Sequence, residues 1–158
     1  MVISVWRCRR LENELRVLEK ATEHLGYSMD RVRALKDKPR WTPEELERFE
    51  SLASRFFRLA DLHIQRVIRL IDDLELVPQG SVLDRIERAE KRGWIAAPDL
   101  VRIRELRNLI AHEYLEDKLH ELHLAVLELA PLLIELTPKV AAFRRVLIAR
   151  HGGLGVVS

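Results

Sequence analysis

Four polar side chains that can carry chemistry fall within one short stretch of this sequence: Arg107, Asn108, His112 and Tyr114. A guanidinium carries a permanent positive charge and suits phosphate oxygens, whereas an imidazole titrates near neutral pH and can take or give a proton. Cleavage of RNA without a metal needs these two groups, a base for the 2′-hydroxyl proton and a cation for the phosphorane. Arg107 and His112 are of the types that fit these two roles, and such a cleavage would give a 2′,3′-cyclic phosphate and a 5′-hydroxyl.

The spacing of these residues constrains how they meet. On a regular helix Asn108 and His112 share a face, as do Arg107 and Tyr114, while Arg107 and His112 lie roughly 140° apart. Asn108 is therefore placed to orient His112. Joining Arg107 to His112 requires a distorted helix end or a second copy of the same helix across a symmetry axis. We expect the second solution, a homodimer with two-fold symmetry.

The spacing of arginine and histidine is not specific by itself, because Arg58 and His63 repeat it inside a long predicted helix, with Gln65 in place of the tyrosine. We interpret His63 as a structural or surface histidine. The later stretch differs because it also contains Asn108 and Tyr114 and because it lies where its helix ends.

The stretch Arg107-Asn108-Leu109-Ile110-Ala111-His112-Glu113-Tyr114 resembles the R-N-x-x-x-H-x-Y signature of HepT-type toxins, a branch of the HEPN superfamily of ribonucleases. The order and spacing of the predicted helices are similar to that family over most of the chain. The resemblance implies a HEPN-like fold, with Arg107 and His112 as the catalytic pair and Asn108 as their polar neighbour. It also implies that a partner nucleotidyltransferase transfers AMP to Tyr114.

The function implied by the resemblance is that of the toxin in a type VII (HEPN/MNT) toxin–antitoxin system. Its partners would be an RNA substrate, a cognate MNT-type nucleotidyltransferase antitoxin and a second copy of the chain. An AMP group on Tyr114 would put a bulky anion beside Arg107 and so silence a metal-independent endoribonuclease. The alternative is a non-catalytic helical binding module, a companion subunit of a nucleotidyltransferase.

Two other interpretations of the same stretch stay open. One is a cluster of ion pairs and hydrogen bonds that only pins a helix end. The other is a metal site using His112, Glu116, His120 and His123, of which the last two share a helical face. Because no third fixed ligand accompanies that pair, we expect neither a metal nor a cofactor.

Composition indicates one soluble domain spanning residues 1–158, with a frayed tail from about residue 151. The chain has 158 residues, of which 47% are hydrophobic and 33% charged, and a formal net charge of +2. That charge permits an RNA partner without requiring one. A single cysteine, Cys8, excludes an internal disulfide, and no apolar run approaches the roughly 18 residues of a membrane span. We expect a cytoplasmic protein.

Apolar periodicity predicts an all-α, up-and-down bundle of five or six helices. We expect a first helix ended by Gly26, and a second short helix from Tyr27 to Lys38 capped by Ser28. A long helix of roughly 32 residues should begin at the capping box of Thr42 and stop at Pro78.

The second half of the chain contains further signals of helix ends. Ser81 should cap a short helix that Gly93 ends, and Pro98 should open the helix that carries the signature. We expect Pro131 to kink the helix after it and Thr137-Pro138 to begin a last helix.

A second apolar row on the long helix has two interpretations. It can be a face that packs on a second subunit, or it can be core within one chain. Its members are Leu52, Leu59, Arg66 and Leu70.

Overall fold

The fold is known from a computed structural model of the chain, which describes residues 5–112 and 118–151. The described residues form helices joined by short connections, without strands. The helices are α1 (Val5–Val32), α2 (Pro43–Asp61), α3 (Ile68–Leu74), α4 (Val82–Lys91), α5 (Ala97–Ala111) and α6 (Leu119–His151). Because a π-helical turn at Leu62–Val67 joins α2 to α3 without a break, the described ranges form five continuous helices. The predicted all-α bundle of five or six helices is confirmed.

The core forms where α1, α2 and α6 pack against one another, while α5 packs on α2, α4 and α6. The second row of the long helix belongs to this core, since Leu52, Leu59 and Leu70 are buried within the one chain. Arg66 instead reaches Glu14 on α1 at 2.7 Å. The interpretation of this row as a subunit face is therefore wrong. The largest fully buried side chains are Leu18, Leu25, Phe49, Leu52, Phe56, Leu59, Ile68, Ile71, Ile86, Leu100, Ile103 and Leu133.

Both predicted capping boxes are present. The Thr42 hydroxyl accepts from the Glu45 backbone N–H, and the Glu45 carboxylate accepts from the Thr42 N–H. Ser81 and Asp84 repeat this exchange at the start of α4. These caps are recognisable in the sequence because every group they need lies within four consecutive residues.

The long helical path has the predicted extent, residues 43–74, but contains an unpredicted π-helical turn. The guanidinium of Arg85, a buried residue of α4, donates to the Ile64 carbonyl inside that turn at 2.8 Å. Two further arginines of α4's C-terminal end, Arg88 and Arg92, contact the buried carboxylate of Asp72 on α3 at 2.7 and 2.8 Å. Arginines therefore hold α4 against the second half of the long path.

The prediction that Gly26 ends the first helix is wrong, and α1 continues to Val32. Ser28 does not cap a second helix. It is buried inside α1, where its hydroxyl accepts from Arg55 at 2.7 Å. A glycine costs an interior helical position only about 1 kcal/mol, and burial of Leu25, Met29 and Val32 on α1 offsets that cost.

The prediction that Thr137-Pro138 begins a separate helix is also wrong, because α6 runs as one helix from Leu119 to His151 with Pro131 and Pro138 inside it. Thr137 is buried, and its hydroxyl bonds to Thr22 and to His63 instead of capping a helix. Proline removes a helical hydrogen bond and usually breaks the helix. Here the apolar face of α6 stays buried on both sides of Pro138, at Leu133, Leu136, Val140 and Leu147.

No helix in the described ranges combines the length and the apolar character that crossing a bilayer requires.

Candidate functional site

The C-terminal part of α5 carries Arg107 and Asn108. The helix starts at Ala97 with Pro98 in its first turn, as predicted, and buries Leu100, Ile103 and Leu106 against its neighbours. Arg107 directly follows a buried position, so its side chain emerges at the edge of the core. There it faces α2.

Three contacts fix the guanidinium of Arg107. Its Nη2 donates to the Asp61 carboxylate at 2.7 Å, and its Nη1 donates to the side-chain oxygen of Asn108 at 3.2 Å. Its Cζ lies 4.5 Å from the centroid of the Phe57 ring, a cation–π distance. The Nε is buried and has no hydrogen-bond partner in the described part of the chain. Asp61 and Phe57 lie one helical turn apart on α2, so one face of that helix holds the arginine.

The Arg107–Asp61 pair is only partly shielded from water, with 27% and 35% of the two side chains exposed. Because 27% of the Arg107 side chain is exposed, an anion from solvent can approach it. A phosphate at this position would share the arginine with Asp61. The site therefore offers a cation whose position is fixed and whose charge is partly balanced.

His112 is the first residue after α5. Its backbone is extended, with φ −98° and ψ 150°, and its N–H donates to the Leu109 carbonyl at 3.3 Å. The residue is exposed, and within residues 5–112 and 118–151 its ring makes no hydrogen bond. Asn108, expected to orient His112, instead accepts from Arg107. The structure thus joins Arg107 to Asn108 directly and places His112 just beyond the helix end.

Tyr114, the predicted site of AMP transfer, lies outside the described residues, as does Glu116 of the alternative metal site. His120 stacks on Trp41, with ring centroids 3.9 Å apart, and His123 is buried beside them. Among the described residues, no three His, Cys, Asp or Glu side chains are grouped in a way that could hold a metal ion.

Sequence reasoning missed Asp61 and Phe57. Asp61 lies between Arg58 and His63, in the stretch that repeats the arginine–histidine spacing by chance. That stretch contributes its carboxylate to the site, while its histidine is fully buried and shares a hydrogen bond with Thr137 at 2.9 Å. Burial lowers the pKa of His63 to about 3, so its ring stays neutral. His63 is structural.

A groove with a volume of about 420 Å³ opens beside the site. Phe57 lines it from α2, and Ile110 and Ala111 line it from the end of α5. The first turns of α6 close the other side with Leu119 and His123. The ring that holds Arg107 therefore also forms part of the groove wall.

An aromatic cluster packs around His123, one of the residues that line the groove. Trp41 stacks on Phe49 with ring centroids 3.8 Å apart, and its indole N–H donates to the Leu35 carbonyl at 2.9 Å. His123 packs against Phe49 with ring centroids 5.6 Å apart, and neither of its ring nitrogens has a hydrogen-bond partner among the described residues. Burial, with a smaller contribution from the neighbouring His120, lowers the pKa of His123 to about 4.

No protein-family model, curated protein or solved structure matches this chain. The assignment of function therefore rests on the geometry at the end of α5 and on the signature that runs through it.

Proposed function

We propose that this protein is a metal-independent endoribonuclease, the toxin of a type VII (HEPN/MNT) toxin–antitoxin pair, which acts as a homodimer. The observation that carries the proposal is the arrangement at the end of α5. A guanidinium fixed by Asp61 and Phe57 is followed, within one helical turn and a half, by an exposed imidazole that has left the helix. The resemblance of residues 107–114 to the HepT signature supports the same assignment.

The reaction follows from the two groups. His112 takes the proton of an RNA 2′-hydroxyl, whose oxygen then attacks the adjacent phosphorus. Arg107 stabilises the extra negative charge of the phosphorane. The bond from phosphorus to the 5′-oxygen breaks, and an imidazolium returns a proton to that oxygen. A two-fold dimer supplies two imidazoles to one groove, so that one acts as base and the other as acid.

Silencing by AMP transfer to Tyr114 is part of this proposal and rests on the signature alone. An adenylyl group adds an anion and considerable bulk near the position that an RNA phosphate must occupy. Arg107 would pair with this anion, and the toxin would lose its substrate site without unfolding.

One observation favours the second candidate, a non-catalytic companion subunit of a nucleotidyltransferase. Arg107 already has a carboxylate partner at 2.7 Å, as a structural arginine would. The two candidates differ in whether RNA is cut and whether His112 matters.

The test is cleavage of a labelled RNA by the purified protein in EDTA. We expect His112→Ala to reduce the rate by about 100- to 10,000-fold and Arg107→Ala by about 100- to 1,000-fold. His24→Ala and Arg69→Ala, which remove exposed side chains on α1 and α3, should retain full activity. Circular dichroism would establish that every variant stays folded.

Activity that requires a divalent ion, or that persists in His112→Ala, would refute the mechanism. Tyr114→Phe tests the silencing separately. We expect this variant to cleave RNA normally, to gain no adenylyl mass on co-expression with the partner, and to remain active in its presence. Full silencing of Tyr114→Phe would point to simple occlusion by the antitoxin.

A further inference from the structure

The groove beside Arg107 has the size and the polarity of a ligand site. Its volume of about 420 Å³ falls within the roughly 300–1,000 Å³ typical of small-molecule pockets. Phe57, Ile110 and Leu119 give it apolar walls. Two polar side chains of α2, Glu50 and Ser54, lie one turn apart on its rim.

A buried histidine in the same groove lacks, among the residues that the structure describes, the partners that buried polar groups normally have. His123 is 1% exposed, and neither of its ring nitrogens bonds to a group in residues 5–112 or 118–151. An unsatisfied buried polar group costs about 1–3 kcal/mol, so its retention calls for an explanation. A ligand that fills the groove and approaches the ring with a polar edge would supply the missing bond. A small rotation of the imidazole would be needed, since its nitrogens are covered in the free protein.

A phosphate-binding group lies next to this groove. Phe57 lines the groove, and the Cζ of Arg107 lies 4.5 Å from the centroid of its ring. A ligand with a flat apolar body and an attached phosphate would therefore place its body against the walls and its phosphate on Arg107. Nucleotides have this construction, and base stacking on aromatic side chains is a general mode of RNA binding.

We propose that this groove binds a nucleobase, preferentially guanine, and so sets the base next to which the RNA is cut. The preference follows from Glu50. A carboxylate offers two acceptor oxygens side by side, and among the four bases only guanine presents two adjacent N–H donors, N1–H and the N2 amino group, on one edge. Adenine and cytosine offer one amino group, and uracil offers one ring N–H. Ser54 and His123 can each donate to or accept from the remaining edge.

This inference rests on the proposed function, but its first test does not require cleavage. Binding of GMP, AMP and UMP to the intact protein would be measured by titration calorimetry. We expect GMP to bind at least tenfold more tightly than AMP or UMP. Glu50→Gln should remove most of that difference, because an amide cannot accept two hydrogen bonds from the guanine edge. Glu47→Gln, an exposed glutamate one turn earlier on α2, is the matched control and should change nothing.

His123 provides a separate readout. Its ring resonances should shift on addition of GMP but not of UMP, and His123→Phe, which keeps an aromatic ring and loses both nitrogens, should weaken GMP binding several-fold. Equal affinities for the three nucleotides, absence of GMP binding at millimolar concentration, or an unchanged preference in Glu50→Gln would each overturn the proposal.

The second test uses cleavage. RNA oligonucleotides that differ at one position, guanine or adenine within a uridine background, should be cut beside the guanine. Cleavage without base preference, together with equal nucleotide affinities, would overturn the base site and leave the ribonuclease intact. Selective GMP binding by a protein that cuts no RNA would support the base site and overturn the proposed ribonuclease activity.

Discussion

At the scale of single residues, Arg107 has to meet two requirements. Asp61 and Phe57 hold its guanidinium in place, yet a catalytic cation must also be free to bind a phosphate. Because both members of the ion pair are about one-third exposed, water screens it, and such pairs contribute at most about 1 kcal/mol to stability. The consequence is that Asp61 matters for where Arg107 points more than for whether the protein folds.

This argument makes a prediction for Asp61. We expect Asp61→Ala to lower kcat for RNA cleavage by about tenfold, since a loosened guanidinium loses pre-organisation, and to lower the free energy of unfolding by less than about 1 kcal/mol. Asp61→Asn keeps an acceptor and should retain more activity. Asp99→Ala removes one of the two carboxylate partners of Arg102, a half-exposed arginine on α5 that also pairs with Glu128, and serves as the control.

Kinetic assays and urea denaturation of the same preparations would measure both effects. Faster cleavage by Asp61→Ala would mean that the carboxylate competes with the substrate phosphate instead of positioning the arginine.

Prediction from the sequence reached only part of this site. Arg107, Asn108 and His112 were recognisable because they lie within six residues at the end of one periodic helix. Asp61 was not, because 46 residues separate it from Arg107 and only the packing of α2 against α5 brings the two together. The extended backbone of His112 corresponds to the distorted helix end that the spacing allowed as an alternative to a second copy of the helix, because helical spacing applies only while the helix continues.

At the scale of elements, α3 and α4 end in the same way with different residues. After α4, Gly93 adopts φ 78°, and the N–H groups of Gly93 and Trp94 close the helix onto Glu90 and Ala89. After α3, Leu76 adopts φ 58°, and the N–H groups of Leu76 and Val77 donate to the carbonyls of Asp73 and Asp72 in the same pattern. This left-handed conformation costs a residue with a side chain about 1–2 kcal/mol and costs glycine little.

We therefore expect Leu76→Gly to stabilise the protein. The side chain is 53% exposed, so little packing is lost, and relief of backbone strain should outweigh the extra freedom of glycine in the unfolded chain. The expected gain is about 0.5–1 kcal/mol in the free energy of unfolding, measured by urea denaturation. Gly93→Ala should show the opposite sign. A loss of stability in Leu76→Gly would mean that the leucine side chain contributes more than its exposure indicates.

The predictions of helix ends were correct where the signal is local and wrong where tertiary packing decides. Thr42, Ser81 and Gly93 were assigned correctly because caps depend on adjacent residues. Gly26 and Thr137-Pro138 misled the prediction because burial of an apolar face overrides the cost of a poor helix former. The π-helical turn was not predictable, because its only trace in the sequence is that the apolar residues Phe56, Ala60 and Ile64 follow one another at two successive spacings of four. An ordinary α-helix also contains such spacings.

At the scale of the whole molecule, the proposed dimer needs a surface near the signature. The second row of the long helix cannot provide one, because it is buried within the chain. Leu109 is a large apolar side chain that is 54% exposed between Asn108 and Ile110. We expect Leu109→Asp to yield a folded monomer without ribonuclease activity, because a buried charge opposes association.

Light scattering at micromolar concentration would measure the mass. Leu83→Asp, at an equally exposed leucine on α4, should remain dimeric and active. A monomeric but fully active parent protein would contradict the dimer.

The two buried histidines make stability depend on pH. His63 and His123 have pKa values of about 3 and about 4 in the folded protein, below the roughly 6.5 of an unfolded histidine. Their neutral rings contribute full stability above pH 6.5, and this is lost as pH falls, because the unfolded chain then binds more protons. We expect about 2 kcal/mol to be lost for each between pH 7 and pH 5.

Urea denaturation at pH 7, 6 and 5 would measure this slope. Glu45, whose pKa is lowered chiefly by its hydrogen bond with Lys38, and Asp84, whose pKa is lowered chiefly by the Ser81 backbone N–H, lose their interactions only at more acidic pH. The window from pH 7 to 5 therefore isolates the histidines. Replacing His123 by phenylalanine should remove about half of the slope, while His24→Gln should leave it unchanged. A flat profile would contradict the burial of two neutral rings.

The π-helical turn at Leu62–Val67 sets the rotational phase between the two halves of the long helical path. A π turn contains more residues than an α turn, so the faces before and after it are offset from those of an uninterrupted helix. Before the turn, Asp61 faces Arg107; after it, Asp72 faces Arg88 and Arg92. Removing one residue from within the turn would let it close as an ordinary α turn, which keeps α2 and α3 in nearly the same rotational phase. Removing one residue from α2 or α3 instead would turn the following face by about 100° and separate Asp72 from α4. The chain should therefore tolerate the loss of one residue within this turn better than the loss of one residue from the helices on either side of it.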